Sequence, residues 1–421
     1  MDAHIEPSTL SGVIEAVASK SMAHRLMILN ALAEKSSPLT LATTSDDIEA
    51  TKRSLIAIQV AHEMAHNKPE DEHMPALVDV GESGSTLRFL LPIIGARGVE
   101  AYVIRHGRLC ERPLSPFDDE LRAHGMTIAE DGGNLMVKGR LEGGRFTLPG
   151  NVSSQYISAL LMAAPALAEA VEVYVSLPVE SRPYIELTIS ALETFGVNVT
   201  SERTTIDDIA YERYCVQPTP LVAPDGLTVE GDWSNAAFWL AAGAMEFEGL
   251  SVSGLNLQSV QGDRQILAAL AAFGARIARR GGVARATKDR PRAATINVQA
   301  IPDLVPPLAA LAATSPGTTT LSGAARLRLK ESDRLETVSA AINALGGHAT
   351  INDDKLLIEG TEQLAGGTLD AAGDHRIAMM GAIMATHARE GVVILGAHCV
   401  EKSYPTFWDD YAKLGGKVHL I

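Results

Sequence analysis

Thr194-Phe-Gly-Val-Asn-Val199 joins the end of an apolar, helix-like pattern to the start of an alternating, strand-like pattern through one glycine. We expect this glycine to end the helix, because glycine readily adopts the left-handed conformation found at helix C-termini. The same junction recurs along the chain at intervals of 69 to 78 residues. The other copies are Ala123-His-Gly-Met-Thr-Ile128, Ala272-Phe-Gly-Ala-Arg-Ile277, Ala344-Leu-Gly-Gly-His-Ala349 and Lys413-Leu-Gly-Gly-Lys-Val418. A repeat of this length predicts a duplicated unit that contains both strands and helices.

A second series of positions runs in step with the glycines and marks the predicted starts of apolar helices. Each member is a serine or an aspartate, whose side chains favour helix N-caps. The members are Ser21, Ser85, Ser154, Asp232, Asp303 and Asp374. They define six units, three before and three after the Pro- and Gly-containing stretch 217–226, and the first unit lacks the glycine. The sequence therefore predicts an α/β protein with two similar domains of three units each.

Composition excludes several classes of protein. The chain of 421 residues exceeds the size at which single cores stop growing, which favours two domains. A net charge of −15 argues against nucleic acid as a partner. No apolar stretch is long enough to span a membrane, and the first ten residues, with Asp2, Glu6 and Pro7, do not resemble a secretion signal. Three scattered cysteines exclude a thiolate zinc site and fit a reducing compartment, so we expect a cytoplasmic protein.

One short run of charge, Arg326-Leu-Arg-Leu-Lys-Glu-Ser-Asp-Arg334, places four cations and two carboxylates together in this acidic chain. The first three cations alternate with leucines, which predicts a strand with those cations on one face. Asp333 followed by Glu336 predicts the cap of a helix over residues 334–345. The run is interpreted either as a solvated, salt-bridged surface strand or as a buried anion site.

Basic and hydroxyl side chains also gather at the predicted helix starts, around Lys20, Arg88, Ser153 and Arg376. Helix N-termini attract anions through their free N–H groups and their dipoles. If several such ends point at one cleft, their fields add. The ligand expected there is small and multiply negative.

A different function is suggested by His62-Glu-Met-Ala-His66, which fits the HExxH signature of zinc hydrolases. In that signature two histidines one helical turn apart bind zinc and the glutamate acts as a base. The extended form with a further glycine and histidine is absent, because Asn67-Lys-Pro-Glu-Asp-Glu-His73 follows. The expected interpretation is an exposed end of an amphipathic helix, with a zinc hydrolase that uses His62 and His66 as the remote alternative.

The chain resembles the EPSP synthase family, whose members are 3-phosphoshikimate 1-carboxyvinyltransferases. The resemblance covers essentially the whole chain and rests on the order and spacing of seven motifs. They are Lys20-Ser-Met-Ala-His-Arg25, Gly84-Ser-Thr-Leu-Arg88, Glu111-Arg-Pro113, Val152-Ser-Ser-Gln155, Lys330-Glu-Ser-Asp-Arg334, Gly373-Asp-His-Arg376 and Lys402-Ser-Tyr-Pro405. It implies two domains, residues 17–228 and residues 1–16 with 229–421, each of three βαβαββ units in an inside-out α/β barrel. It also implies an active site in the interdomain cleft.

The resemblance implies a reaction as well. Family members transfer the enolpyruvyl group of phosphoenolpyruvate to the 5-hydroxyl of shikimate 3-phosphate and release phosphate, on the route to chorismate and the aromatic amino acids. The reaction passes through a tetrahedral intermediate and uses neither metal nor cofactor. Its partners would be these small molecules only, and the protein is expected to be a monomer. Two phosphorylated carboxylates explain the many cations, since arginine binds both groups through paired hydrogen bonds.

Individual roles carry over from the family motif by motif. Lys20, Asp303 and Glu331 resemble the proton-transfer groups. The residues implied to bind shikimate 3-phosphate are Lys20, Ser21, Arg25, Ser153, Ser154, Gln155, Ser181, Asp303 and Lys330. The residues implied to contact phosphoenolpyruvate are Lys20, Gly84, Arg112, Gln155, Arg334, Arg376 and Lys402. Four positions depart from the family pattern: Ala18, Glu82, Phe89 and Arg326.

Two further interpretations stay open. A related enzyme transfers the same group to UDP-N-acetylglucosamine with a mobile cysteine a few residues before an Arg-Pro pair. Cys110 lies two residues before Arg112-Pro113, which is closer than in that enzyme. The Lys-Glu-x-Asp-Arg segment favours shikimate 3-phosphate instead. A non-catalytic anion-binding protein would bind the same ligands without turnover.

Overall fold

A computed structural model describes residues 1–67 and 73–421 of the protein, in which strands and helices alternate. Up to residue 149 the elements are β1 (Ala3–Glu6), β2 (Gly12–Glu15), α1 (Lys20–Leu32), β3 (Leu39–Thr40), α2 (Asp46–Asn67), β4 (Ala76–Asp79), α3 (Gly84–Arg97), β5 (Ala101–Ile104), a 3-10 helix (Gly107–Glu111), α4 (Phe117–Ala123), β6 (Met126–Asp131), β7 (Asn134–Gly139) and β8 (Gly144–Pro149). Next come α5 (Ser154–Ala163), a 3-10 helix (Ala164–Ala166), β9 (Val171–Ser176), α6 (Arg182–Thr194), β10 (Val199–Ile206), β11 (Ile209–Val216), β12 (Leu227–Thr228), α7 (Trp233–Met245), β13 (Leu250–Ser253), a 3-10 helix (Gly262–Gln265) and α8 (Ile266–Ala272). The remainder consists of β14 (Arg276–Arg280), β15 (Val283–Thr287), β16 (Thr295–Asn297), a 3-10 helix (Pro302–Leu304), α9 (Val305–Ala312), β17 (Thr318–Ser322), a 3-10 helix (Ala325–Leu329), α10 (Arg334–Ala344), β18 (His348–Asn352), β19 (Lys355–Glu359), β20 (Gly367–Asp370), α11 (His375–Ala385), β21 (Val392–Leu395), a 3-10 helix (Ala397–Lys402), α12 (Phe407–Lys413) and β22 (Lys417–Leu420).

The described chain divides into two compact units. The C-terminal unit contains Met1–Ser19, Thr43–Ser45 and Glu230–Ile421. The N-terminal unit contains Lys20–Ala42 and Asp46–Val229. No helix in the two described ranges is long and apolar enough to cross a membrane.

The C-terminal unit surrounds three fully buried helices with mixed sheets. Every residue of α7, α9 and α11 is buried, as expected for helices that are apolar on all sides, and the three helices contact one another. The four-stranded sheets have the orders β20-β21-β1-β22, β14-β15-β13-β2 and β16-β17-β19-β18. Strands β1 and β2 thus complete two sheets whose other strands come from the last part of the chain.

The N-terminal unit has the same plan with one difference. Its four-stranded sheets have the orders β4-β5-β7-β6 and β10-β11-β9-β8, and its central helices α3 and α5 pack on each other. The first of the six predicted repeats departs from the others: between helix α1 and the end of the 22-residue helix α2, the described residues form one strand, the two-residue β3, which pairs with β12. That helix occupies the part of the unit where the sequence lacks the repeated glycine. The α/β class is confirmed, and this unit is its irregular member.

The observed helix ends can be compared with the two predicted series, the junction glycines and the Ser or Asp caps. The five junction glycines have φ angles between +80° and +101°, so the predicted left-handed conformation is confirmed. Asp232 and Asp374 cap α7 and α11 as predicted. The other four caps are wrong by one or two residues, because the extended backbone that a cap requires lies elsewhere or the position is already helical. Ser83 rather than Ser85 caps α3, Ser153 rather than Ser154 caps α5, Ser21 is the second residue of α1, and Asp303 lies in the 3-10 turn before α9.

Candidate active site

The charged run forms a turn followed by a helix. Residues Ala325–Leu329 adopt a 3-10 helix, so the predicted strand is wrong. With three residues per turn, alternate side chains do not share a face: Leu327 is buried, whereas Leu329 is 53% exposed. The predicted cap is confirmed, because the Asp333 side chain accepts a hydrogen bond from the Glu336 N–H at the start of α10.

Arg334, the first residue of α10, is the centre of a buried ion cluster. Its side chain is 1% exposed and contacts three carboxylates. Nη1 donates to Asp303 Oδ1 at 2.8 Å, Nη2 to Glu331 Oε2 at 2.6 Å and Nε to Asp374 Oδ2 at 2.7 Å. Burial acts to lower the pKa of Arg334, but the three carboxylates outweigh it and raise that pKa above its usual value. We call Asp303, Lys330, Glu331, Arg334, Asp374 and Arg376 the Asp303 cluster.

Asp303 contacts two further cations. Lys330 Nζ lies 3.3 Å from Oδ1, and Arg376 Nη2 lies 3.2 Å from Oδ2. Burial acts to raise the pKa of Asp303, but Arg376, Lys330 and Arg334 outweigh it and hold the pKa well below its usual value. Burial lowers the pKa of Lys330, and Asp303 opposes that effect. Arg328 is the solvated, salt-bridged member of the charged run, because it pairs with Asp333 and Glu336 and is 41% exposed.

The start of α11 completes this part of the site. Asp374 accepts from the Arg376 N–H at 3.0 Å and also holds Arg334, so one buried carboxylate positions two predicted ligands. Lys402 ends a 3-10 helix and is 9% exposed.

Asp263, which the sequence reasoning missed, also belongs to this charged region. Asp263 is buried and accepts a hydrogen bond from Ser234 Oγ. Burial and the neighbouring Asp303 raise its pKa from 3.8 to about 6, against the effect of Arg376. In the sequence this aspartate occupies an ordinary polar loop, so no local pattern distinguishes it.

In the N-terminal unit, α1 presents Lys20 and Arg25. Lys20 Nζ donates to Asp47 Oδ2 at 2.7 Å, with 15% and 7% of the two side chains exposed. Asp47 was not predicted from the sequence, because it lies 27 residues away on α2. Arg25 is buried and donates to Thr188 Oγ1 at 2.7 Å and to the Ser21 carbonyl at 2.6 Å. Burial lowers the pKa of Arg25 to about 9, which leaves it charged at neutral pH.

A glycine lets two guanidinium groups approach the start of α3. A Cβ atom on Gly84 would lie 2.8 Å from Nη1 of both Arg88 and Arg112, so only glycine fits this turn without displacing them. Arg88 Nη1 donates to Gln155 Oε1 at 2.7 Å, and Gln155 Nε2 donates to Ser85 Oγ at 2.8 Å. The first turns of α3 and α5 are thereby connected. The Nε atom of Arg112 is buried and has no hydrogen-bond partner among residues 1–67 and 73–421.

The remaining predicted residues lie at the starts of α5 and α6. Ser153 accepts from the Gln155 N–H at 3.3 Å, and Gln155 is the one residue of α5 that is not buried. Ser154 is buried in the first turn of α5. Ser181 precedes α6 and has a left-handed φ of 52°. A residue other than glycine adopts this conformation only at some cost in energy.

Three of the four departures from the family pattern lie close to residues of the candidate site. The Glu82 carboxylate lies against the backbone of Gly107, at the start of the turn that leads to Arg112. Phe89 packs beneath the Arg25 guanidinium, 5.1 Å from the ring centroid. Arg326 acts on Lys330 electrostatically. Burial has the largest effect on the pKa of Lys330 and lowers it; Asp303 opposes this effect, whereas Arg334 and Arg326 add to it.

The residues of the two alternative functions are engaged in local contacts. His62 Nδ1 lies 3.0 Å from the Arg97 carbonyl, and His66 Nδ1 lies 2.8 Å from the His62 carbonyl. Within residues 1–67 and 73–421, no group of three or more His, Cys, Asp or Glu side chains is arranged to hold a metal ion. Part of the stretch that follows the motif, residues 68–72, lies outside the described residues. Cys110 Sγ lies 3.4 Å from the Arg105 carbonyl.

A family model and curated relatives that are similar to this chain point to one family, and a solved structure shares its fold. The family model of EPSP synthase (3-phosphoshikimate 1-carboxyvinyltransferase) matches residues 5–411. The 3-phosphoshikimate 1-carboxyvinyltransferase of Clostridium kluyveri is 36% identical over 98% of this chain and 97% of its own length. The enzyme of the same name from Clostridium acetobutylicum is 37% identical over 99% of this chain and 97% of its own. A solved EPSP synthase structure from Acinetobacter baumannii covers both chains fully with a TM-score of 0.76 at 24% identity, which supports the fold.

Proposed function

The chain belongs to the EPSP synthase family, and we propose that it transfers the enolpyruvyl group of phosphoenolpyruvate to the 5-hydroxyl of shikimate 3-phosphate. The products are 5-enolpyruvylshikimate 3-phosphate and inorganic phosphate. The Asp303 cluster carries the proposal, because it combines three cations suited to phosphate and carboxylate groups with carboxylates suited to proton transfer.

Both units contain residues that we assign to the two substrates. From the N-terminal unit, shikimate 3-phosphate would be bound by Lys20, Ser21, Arg25, Ser153, Ser154, Gln155 and Ser181, and phosphoenolpyruvate by Lys20, Gly84, Arg112 and Gln155. From the C-terminal unit, Asp303 and Lys330 would contact shikimate 3-phosphate, and Arg334, Arg376 and Lys402 would contact phosphoenolpyruvate. The burial of Arg25 and Arg334 supports this assignment, since low-dielectric surroundings strengthen their attraction for anions.

The proton transfers require a base and an acid in each of two steps. In the first, the 5-hydroxyl loses its proton, its oxygen bonds to C2 of phosphoenolpyruvate, and a proton is added at C3. In the second, the C2–O bond to phosphate breaks with its electrons leaving on phosphate, and C3 returns a proton. We assign these transfers to Asp303, Glu331 and Lys20, which are carboxylates and an amine of the kind that perform general acid–base catalysis.

The charges around Asp303 suit a base that becomes active when substrate binds. Without substrate, its negative charge is stabilised by Lys330, Arg334 and Arg376. A bound phosphate or carboxylate would compete for these cations and weaken that stabilisation, and the proton affinity of Asp303 would rise. Binding of the anionic substrate would therefore itself raise the proton affinity of Asp303, the proposed base.

The organisation of the protein is part of the proposal. The two compact units support the expected domains, 17–228 and 1–16 with 229–421. We propose that the protein acts as a monomer in the cytoplasm on small-molecule substrates alone. Light scattering of the purified protein with and without substrates would test the monomer.

Phosphate release from phosphoenolpyruvate tests the function. The expected result is release with shikimate 3-phosphate as acceptor, in proportion to enzyme, and none with UDP-N-acetylglucosamine. Release with the nucleotide sugar alone would replace the assignment by the related transferase. Binding of both shikimate-pathway substrates without any release would identify a binding protein. Arg328→Ala is a matched control that should keep phosphate release, because Arg328 belongs to the same charged run but its ion pairs among the described residues are with Asp333 and Glu336.

A further inference from the structure

A buried histidine lies beneath the proposed ligands of the N-terminal unit and has no part in the proton transfers. His24 is 0% exposed, and its Nδ1 lies 2.7 Å from Thr51 Oγ1 on α2. Thr51 Oγ1 lies 2.6 Å from Thr86 Oγ1 on α3, and Thr86 Oγ1 lies 2.8 Å from Ser83 Oγ, the cap of the same helix. We call these four side chains the His24 relay.

The hydroxyl protons assign the direction of each hydrogen bond. Thr86 has one hydroxyl proton, which it donates to Ser83 Oγ or, at 3.4 Å, to the Asp47 carbonyl. With the Thr86 proton used in this way, we assign the Thr51 proton to Thr86 Oγ1, and the Thr51 oxygen then accepts from His24. The ring is consequently protonated at Nδ1. His24 Nε2 is then a bare acceptor, and it is buried without a hydrogen-bond partner in the described structure.

The surroundings keep this ring neutral. Burial lowers the pKa of His24 from 6.5 to about 3, with Asp47 opposing and Lys20 and Arg25 adding to the effect. A second proton at Nε2 would create a cation with no acceptor, between two cations of the same helix. Phe89 packs edge-on against the ring, with centroids 6.3 Å apart, and excludes water from this side.

We propose that His24 is a positioning residue that fixes α1 against the first turn of α3 through Thr51 and Thr86. Helix α1 carries Lys20, and α3 begins at Gly84 behind its cap Ser83. The relay thus determines how far the Lys20 ammonium lies from the N–H groups of the Gly84 turn. Both groups are proposed above to contact phosphoenolpyruvate, so this inference rests on the proposed function.

The tests separate the hydrogen bond from the mere presence of a side chain. Asparagine can place an amide N–H where His24 has Nδ1–H, whereas leucine fills the space without a donor. We expect His24→Leu to raise the KM for phosphoenolpyruvate about three- to tenfold with a smaller change in kcat, and His24→Asn to restore most of the loss. Thr51→Val should reproduce the leucine variant, and Thr51→Ser should resemble the parent. This second pair decides the question if His24→Leu does not fold.

A matched control comes from the same helix as Thr51. Ser54 is buried one turn later and donates to the Asp79 carbonyl outside the relay. Ser54→Ala should therefore leave both kinetic constants unchanged. An equal rise in KM for Ser54→Ala, or equal losses in His24→Asn and His24→Leu, would overturn the positioning role.

The tautomer can be measured without any enzyme assay. In nitrogen-15 NMR of labelled histidine, the His24 signal is identified by its loss in His24→Asn; it should show a ring protonated at Nδ1 that does not titrate between about pH 5 and pH 8. Protonation of His24 at Nε2, or titration of His24 in that range, would disprove the relay. A parent protein that shows this NMR signal but releases no phosphate would contradict the proposed function and leave the relay standing.

Discussion

Arg334 Nη1 donates a hydrogen bond to Asp303 Oδ1 across 2.8 Å, although the two residues are 31 positions apart and belong to different helix starts. The Asp303 cluster contains three cations and three carboxylates, so removing either partner would leave this buried cluster with one unbalanced charge, which is costly. The pair also connects binding to chemistry, because a proposed phosphoenolpyruvate ligand holds the charge of a proposed base.

Lys330 and Glu331 are neighbours with different proposed roles, so their alanine variants should differ. Lys330→Ala should mainly weaken the binding of shikimate 3-phosphate, because it removes a cation and leaves the acid–base groups in place. Glu331→Ala should mainly lower kcat, about 10²-fold or more for a general acid–base group. Steady-state kinetics with each substrate varied would measure both. Equal losses of affinity with unchanged turnover in the two variants would contradict the assignment.

Asp303→Asn should lower kcat by about 10² to 10⁴ while the variant still binds shikimate 3-phosphate. It should also be less stable than the parent at neutral pH, since three cations lose a counter-charge. The pKa of Asp303 is depressed in the folded protein, so its stabilising effect is present above its unfolded pKa of about 4 and is lost as the pH falls below that value. Urea unfolding near pH 7 and near pH 3 should show the difference between parent and variant shrinking in acid. A constant difference would contradict the ion-pair explanation.

Asp263→Asn should stabilise the protein at neutral pH. The pKa of this buried carboxyl is raised to about 6, so the folded protein binds its proton more tightly than the unfolded chain. Ionisation therefore costs stability as the pH rises from about 4 to 6, on the order of 3 kcal/mol in all, and the cost stays constant above that range. Thermal unfolding should show a gain for the variant near pH 8 that disappears near pH 4. A variant that is equally stable or less stable at both pH values would refute the raised pKa.

Gly84→Ala should weaken the binding of phosphoenolpyruvate with little loss of stability. The added Cβ would meet the guanidinium groups of Arg88 and Arg112, which are flexible side-chain ends that can move aside. We expect a KM for phosphoenolpyruvate raised about tenfold or more, since both the turn and Arg112 are displaced. Gly81→Ala is a control for the effect of backbone strain in this loop: Gly81 has a left-handed φ of +57°, and no described residue lies within 4 Å of the added Cβ, so the two guanidinium groups stay in place. A parent-like KM in Gly84→Ala would remove Gly84 from the proposed site.

The HExxH motif should be unrelated to activity. His66→Asn should leave phosphate release unchanged, because His66 is exposed at the end of α2 and its Nδ1 is near the His62 carbonyl. Elemental analysis of the purified protein should find well below one zinc per chain. Activity that falls with a chelator and returns with zinc would restore the zinc hydrolase alternative.

The sequence predicted those features that depend on local backbone energetics. The junction glycines, the caps of α7, α10 and α11 and the α/β alternation follow from residue preferences within a few positions, and the structure agrees with them. The strand predicted over the charged run is wrong. Alternating cations and leucines indicated the two-residue period of a strand, whereas the segment is a 3-10 helix with three residues per turn, in which Leu327 is the buried residue. The sequence did not indicate roles for Asp47, Asp263 and His24. Their partners lie 27 to 40 residues away in the sequence, and no local pattern identifies such partners.

The sequence alone thus determined the repeated α/β plan, the chemical kind of ligand and most residues proposed to bind it. Only the tertiary structure decided their state. It brings Arg334 against three carboxylates, keeps His24 neutral and raises the pKa of Asp263 while lowering that of Asp303. The physical reason is that burial and charge pairing depend on distances between side chains that the fold brings together from separate parts of the chain. The sequence determines which ionisable groups are present, whereas packing determines which of them form ion pairs and how their pKa values shift.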